Sequence, residues 1–183
     1  MTEKQIERQE RVLEIITSES LRQFASLQAR MLEIGTIADC IHFAQFVEVA
    51  DIAKFQERVL EIGAGFDCAH FAAHVKLADV AKLQARVLHI GTVEDCVYFA
   101  QCVKCADIAK LQARVLEIGT GEDCVKFATW VEGADIDRLQ ERVLEIGNSY
   151  DCMSFARYVE GADKRKFQAR LKEHADVLAR FAA

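Results

Sequence analysis

The dipeptide Asp-Cys occurs at residues 39–40, 67–68, 95–96, 123–124 and 151–152, each time 28 residues after the last. Arg stands in register with it at 30, 58, 86, 114, 142 and 170, and Gly at 35, 63, 91, 119 and 147. No other property of the chain limits its fold so strongly. Self-similar units of about 20–50 residues cannot bury an apolar face alone, so they stack and bury it on one another. Five units run from about 22 to 161. Before them, "QERVLEII" at 9–16 precedes "QARMLEIG" at 28–35 by only 19 residues. Residues 1–21 are therefore expected to form an N-terminal capping helix with a truncated repeat, and 162–183 a C-terminal capping helix.

The unit at 106–133, "ADIAKLQARVLEIGTGEDCVKFATWVEG", holds two short helices. The first begins after Asp107, a good N-cap, and stops at Gly119. Its apolar positions Ile108, Leu111, Val115 and Ile118 form one helical stripe, which Leu116 widens. Thr120 and Asp123 form a capping box opening the second helix, with Cys124, Phe127, Ala128 and Val131 as its core face. Gly133 closes that helix and Asp135 caps the next. Helices of about 11 residues do not persist alone, so stacking must hold them. The expected fold is all-α: a right-handed α-solenoid of five 28-residue helix–turn–helix repeats with N- and C-terminal capping helices.

Across residues 20 to 183 this arrangement resembles the α-hairpin arrays of the HEAT, armadillo and tetratricopeptide kind. The likeness is architectural. The period of 28 is shorter than theirs, and the tetratricopeptide Trp-Leu-Gly-Tyr pattern and the HEAT proline are missing, since the chain has no proline. No functional residue carries over.

The N-terminus is charged and lacks the apolar stretch of a signal peptide, and no apolar run reaches the ~18–20 residues of a membrane span. A cytoplasmic protein that keeps its seven cysteines reduced is expected, with no membrane partner. The formal charge of −6 speaks against a general positive field for nucleic acid. Residues 163–183 carry six Lys/Arg against three acids, which leaves −9 on residues 1–162.

Columns of the repeat separate packing from function. In the first helix, Gln28/56/84/112/140/168 lies at the stripe margin, where a buried amide needs partners. The Arg column and Asp39/67/95/123/151 are expected to form a ladder of ion pairs between helices, with Asp also capping. In the second helix the positions away from the core change in every unit. They include Ala38, His42, Gln45, Phe46 and Val49, then Phe66, His70, Ala73, His74 and Leu77, then Glu94, Tyr98, Gln101, Cys102 and Cys105. Glu122, Lys126, Thr129, Trp130 and Gly133 follow, then Tyr150, Ser154, Arg157, Tyr158 and Gly161. This stripe carries the only Trp and all three Tyr, residue types that dominate interface hot spots. The expected partner-binding residues are His42, Phe46, Phe66, His70, His74 and Tyr98, together with Gln101, Lys126, Trp130, Tyr150, Arg157 and Tyr158.

Enzyme chemistry has little to stand on: the chain has no phosphate-cradling Gly-rich loop, no G-x-S-x-G and no H-E-x-x-H. One weak metal candidate is a Cys₂His₂ zinc site from His70, His74, Cys102 and Cys105. Cys102 and Cys105 sit at a helix end, where the dipole opposes thiolate formation, so a redox pair is disfavoured. The expected function is a non-catalytic protein-binding solenoid, adaptor or stand-alone inhibitor, without a cofactor, with a homodimer possible. The alternative is an acidic nucleic-acid mimic or a nucleic-acid-binding repeat protein.

Overall fold

A computed structural model describes the backbone of residues 3–181 and the side-chain surroundings of 19–173 and Ala175. It is all-helical, with no strand among the described residues. The helices are α1 (Glu3–Ile34), α2 (Ile37–Phe46), α3 (Ile52–Ile62), α4 (Gly65–His74), α5 (Val80–Ile90) and α6 (Val93–Cys102). They continue with α7 (Ile108–Ile118), α8 (Gly121–Trp130), α9 (Ile136–Ile146), α10 (Ser149–Tyr158) and α11 (Lys164–Phe181). The principal packing contacts join helices one or two apart in the chain, as in a helical repeat.

Each turn is built from caps. Asp51, Asp79, Asp107 and Asp135 accept the backbone N–H three residues on and open α3, α5, α7 and α9. Thr36, Thr92, Thr120 and Asn148 open α2, α6, α8 and α10, and the Asp at the third position of each helix accepts from the cap's own N–H. At α4 the cap position is Ala64, and only the Asp67 half of the box remains, at 2.8 Å.

The core is one cluster of repeating positions, in which Phe55, Leu83, Leu111, Leu139 and Phe167 from the odd-numbered helices are buried with Phe43, Phe71, Phe99, Phe127 and Phe155 from the even ones. Cys40, Cys68, Cys96, Cys124 and Cys152 fill the small space beside them. Burial raises these thiols, those of Cys68, Cys96 and Cys124 to about 11. The amides of Gln56, Gln84, Gln112 and Gln140 are buried and bonded to the next unit, and the half-buried Gln28 makes the same bond. Gln112 Oε1 accepts from Asp135 N at 2.8 Å, and its Nε2 donates to Asp135 O at 2.9 Å. Gln28, Gln56, Gln84 and Gln140 accept in the same way from Asp51, Asp79, Asp107 and Asp163.

Three expectations need correction, and one lies largely outside the described residues. α1 runs unbroken through residue 21, so no turn separates a truncated repeat from the first unit. The polar outer faces expected of the terminal helices fall largely on side chains outside the described residues. Ile118, the last residue of α7, is exposed rather than part of the buried stripe, and Gln112 is buried beside Leu111 and Val115. The Arg–Asp ladder does not form. Each Asp is occupied by its cap N–H, while Arg58, Arg114 and Arg142 reach Glu61, Glu117 and Glu145 within their own helices at 3.3, 2.9 and 2.8 Å.

The even-numbered helices do not pack uniformly. α4 lies closer on α6, and α8 on α10, than α2 on α4 or α6 on α8. The residue opening these helices runs Ile37, Gly65, Val93, Gly121, Ser149. A Cβ on Gly65 would meet Asp95 Oδ2 and lie 2.7 Å from Gly91 Cα; one on Gly121 would lie 2.5 Å from Asp151 Oδ2 and 2.7 Å from Gly147 Cα. Glycine at these two positions is what lets the backbones approach.

Candidate functional site

The even-numbered helices expose one face each, and the side chains expected there fall into three groups. On α2, His42 stacks on Phe46 at 5.6 Å between ring centroids. On α4 and α6, Phe66, His70, His74 and Tyr98 form a connected patch: Phe66 to Tyr98 is 5.2 Å, His70 to His74 4.4 Å, and His74 Nε2 lies 3.4 Å from the Tyr98 hydroxyl. Partial burial and the neighbouring His74 lower the pKa of His70. Burial, with Cys102 beside it, raises that of Tyr98.

The third group encloses a groove of about 400 Å³ between α8 and α10. Trp130, Tyr150 and Tyr158 stand along it at 56%, 68% and 59% exposure, and Val125, Thr129 and Ser154 line it as well. The Thr129 hydroxyl donates to Val125 O at 2.7 Å and so brings no free donor to the groove. Lys126 is held by Glu122 at 2.9 Å, with Asp123 at 4.0 Å. The hydrogen bond to Glu122 is the main cause of its raised pKa, and Glu94 on α6 adds to it. Asp151 is buried and accepts from Asn148 N at 2.9 Å. Arg157 lies over the Tyr158 ring, 5.3 Å from its centroid. The two cations expected on this face are therefore engaged within it.

A shift of two units explains why the groove is here. Position 154 corresponds to 98, 130 to 74, 126 to 70 and 158 to 102. Tyr98 is half-buried, packs against the core and fills the space between α4 and α6. Ser154 leaves the equivalent space between α8 and α10 open. Tyr98 thus belongs to the wall more than to the exposed surface.

The remaining predicted residues are scattered. Gln101 on α6 reaches the Trp130 carbonyl at 3.5 Å, the long limit of a hydrogen bond. Val49, Leu77, Cys105, Gly133 and Gly161 were expected on the second helix, but they stand in the turn after it, because Val47, Val75, Val103, Val131 and Val159 already cap its end in extended conformation. Leu77, Gly133 and Gly161 have positive φ there, and Leu77 is 93% exposed. With Cys105 in a turn, the four residues of the zinc candidate do not converge. Among the described residues no three His, Cys, Asp or Glu side chains gather to hold a metal.

Sequence reasoning had no place for Val125 or Asp151 in the site, and it set Ser154 on the variable stripe without counting it among the binding residues. The signal available was that Ser154 is the smallest residue in a column otherwise filled by His42, His70, Tyr98 and Lys126. No known protein family, curated protein or solved structure matches the chain. No helix among the described residues is long and apolar enough to cross a membrane.

Proposed function

We propose that the chain is a right-handed α-solenoid of five 28-residue repeats, acting without catalysis as a protein-binding module. Its even-helix face is the binding surface, and occupying, scaffolding or inhibiting a partner is the function. The observation that carries this reading is the exposure of Phe46, Phe66, Trp130, Tyr150 and Tyr158 on four of the five even-numbered helices, α2, α4, α8 and α10. Large rings left in water on one face offer desolvation energy to a partner, and such residues dominate interface energetics. Neither Phe46 nor Tyr158 fills a gap between units, since both are more than half exposed. Five cysteines buried as packing residues fit a reducing, cytoplasmic setting.

Affinity purification from the native host with mass spectrometry would identify the partner. The double variant Trp130→Ala/Tyr158→Ala is expected to keep the helical circular dichroism and the melting temperature while weakening partner capture at least tenfold. Capture unchanged by this variant would remove the face as the binding site.

A further inference from the structure

The groove between α8 and α10 combines three features that coincide nowhere else on the even-helix face. Trp130, Tyr150 and Tyr158 flank it with ring surface that no other ring covers closely. Its polar wall is acidic: Glu122 and Asp151 line it, with Asp123 and Glu94 just outside, against Lys126 and Arg157. Lys126 and Glu122 offset each other as an ion pair and Arg157 lies over the Tyr158 ring, so Asp151, Asp123 and Glu94 outnumber the one remaining cation. The result is an aromatic recess with surplus negative charge. Such a recess attracts a cation through the ring quadrupoles and the carboxylates together. It repels an anion, and a purely aliphatic group would leave the carboxylates unused.

We propose that this groove seats an arginine or lysine side chain presented by the partner protein, a reading that rests on the even-helix face being the binding surface. The site is not repeated two units earlier. At the equivalent place between α4 and α6, Tyr98 fills the space, and His70 and His74 stand where Lys126 and Trp130 stand in the groove. The native packing of Tyr98 also supplies the blocking variant. Ser154→Tyr introduces at 154 the side chain that the fold already accommodates two units earlier, so it closes the groove without new backbone demands.

Trp130 is the only tryptophan and so reports on the groove by its own fluorescence. The probes are three capped tetrapeptides, acetyl-Ala-X-Leu-Ala-amide, with X as arginine, norleucine or glutamate. The arginine peptide is expected to give a saturable change, weakened by added salt. Norleucine should bind at least tenfold more weakly and glutamate not at all. Ser154→Tyr, and separately Tyr158→Leu at an exposed position, should each lower affinity for the arginine peptide at least tenfold, with unchanged melting temperature. Norleucine binding as tightly as arginine, or Ser154→Tyr binding as the wild type does, would overturn the proposal. A dimer by light scattering that Ser154→Tyr dissociates would overturn it too, by making the occupant a second copy. No response to the arginine peptide, with partner capture still dependent on Trp130 and Tyr158, would sink the cation site alone. Capture independent of those residues would sink the surface itself.

Discussion

Gln112 shows how a single side chain joins two units. Its amide is buried, yet both ends are satisfied by one backbone residue, Asp135 N and Asp135 O, 23 positions on. The same bonds hold Asp135 in place as it caps α9, so inter-unit docking and helix initiation share a residue. Gln112→Leu keeps the size of the side chain but leaves the Asp135 N–H without a partner and Asp135 O with only the Leu139 N–H. A loss of about 1–3 kcal/mol is expected, the penalty for unsatisfied buried groups. It would be read as a lower urea midpoint at unchanged slope. The Arg column is weaker by the same accounting. The guanidinium of Arg114 pairs with a Glu117 that is 68% exposed, and its Nε is buried without a partner, as in Arg58, Arg86, Arg142 and Arg170. An exposed pair is worth ~0–1 kcal/mol, and the unpaired Nε works against even that. Recurrence in sequence therefore marks the Gln as the stronger structural element, although the Arg column is the more conspicuous.

At the scale of the helix, α4 is the exception that tests the capping rule. Ala64 has the backbone of Thr92, with φ near −77° and ψ near 175° against −78° and 175°, but lacks the hydroxyl that Thr92 offers to Asp95 N. Ala64→Thr should therefore complete the box at Asp67 without moving the chain. A gain of about 1 kcal/mol is expected, measured as a raised urea midpoint; no gain would show that the N-terminus of α4 is already limited by its approach to α6. The helices themselves were legible in the sequence because their caps, glycines and apolar stripes repeat at a fixed interval, and each repetition corroborates the others. The groove was not. Its existence depends on Gly121 admitting a close approach of α8 and α10 and on Ser154 failing to fill the space beyond, two residues in different columns whose effects combine only in three dimensions. Read singly, Ser154 is an ordinary surface serine. Set against Tyr98 two units earlier, it is the absence of a plug. The misplacement of Leu77 and Cys105 has a simpler cause: periodicity continues through a turn, while the helix does not.

The whole molecule is a line of neighbours, and its cysteines report on that line. Cys102 and Cys105 are exposed, and the other five are buried at equivalent positions from Cys40 to Cys152. Thiolate is the reactive form, and burial pushes Cys68, Cys96 and Cys124 to about 11, so a thiol reagent at neutral pH meets both a steric and an ionisation barrier there. Two of the seven thiols should titrate rapidly in the native protein and all seven in denaturant. The intermediate regime is more informative. A chain whose helices pack mainly one or two elements away has no distant contact to hold its ends, so opening free energies should fall toward the termini. In a Cys102→Ser/Cys105→Ser background at low urea, mass-resolved labelling is then expected to modify Cys40 and Cys152 first and Cys96 last. Simultaneous labelling of all five would mean that the Gln bonds and the close α4–α6 and α8–α10 pairs couple the array into one cooperative unit. Labelling in pairs, Cys68 with Cys96 and Cys124 with Cys152, would mean that the unit of stability is the 56-residue pair set by Gly65 and Gly121 rather than the 28-residue sequence repeat.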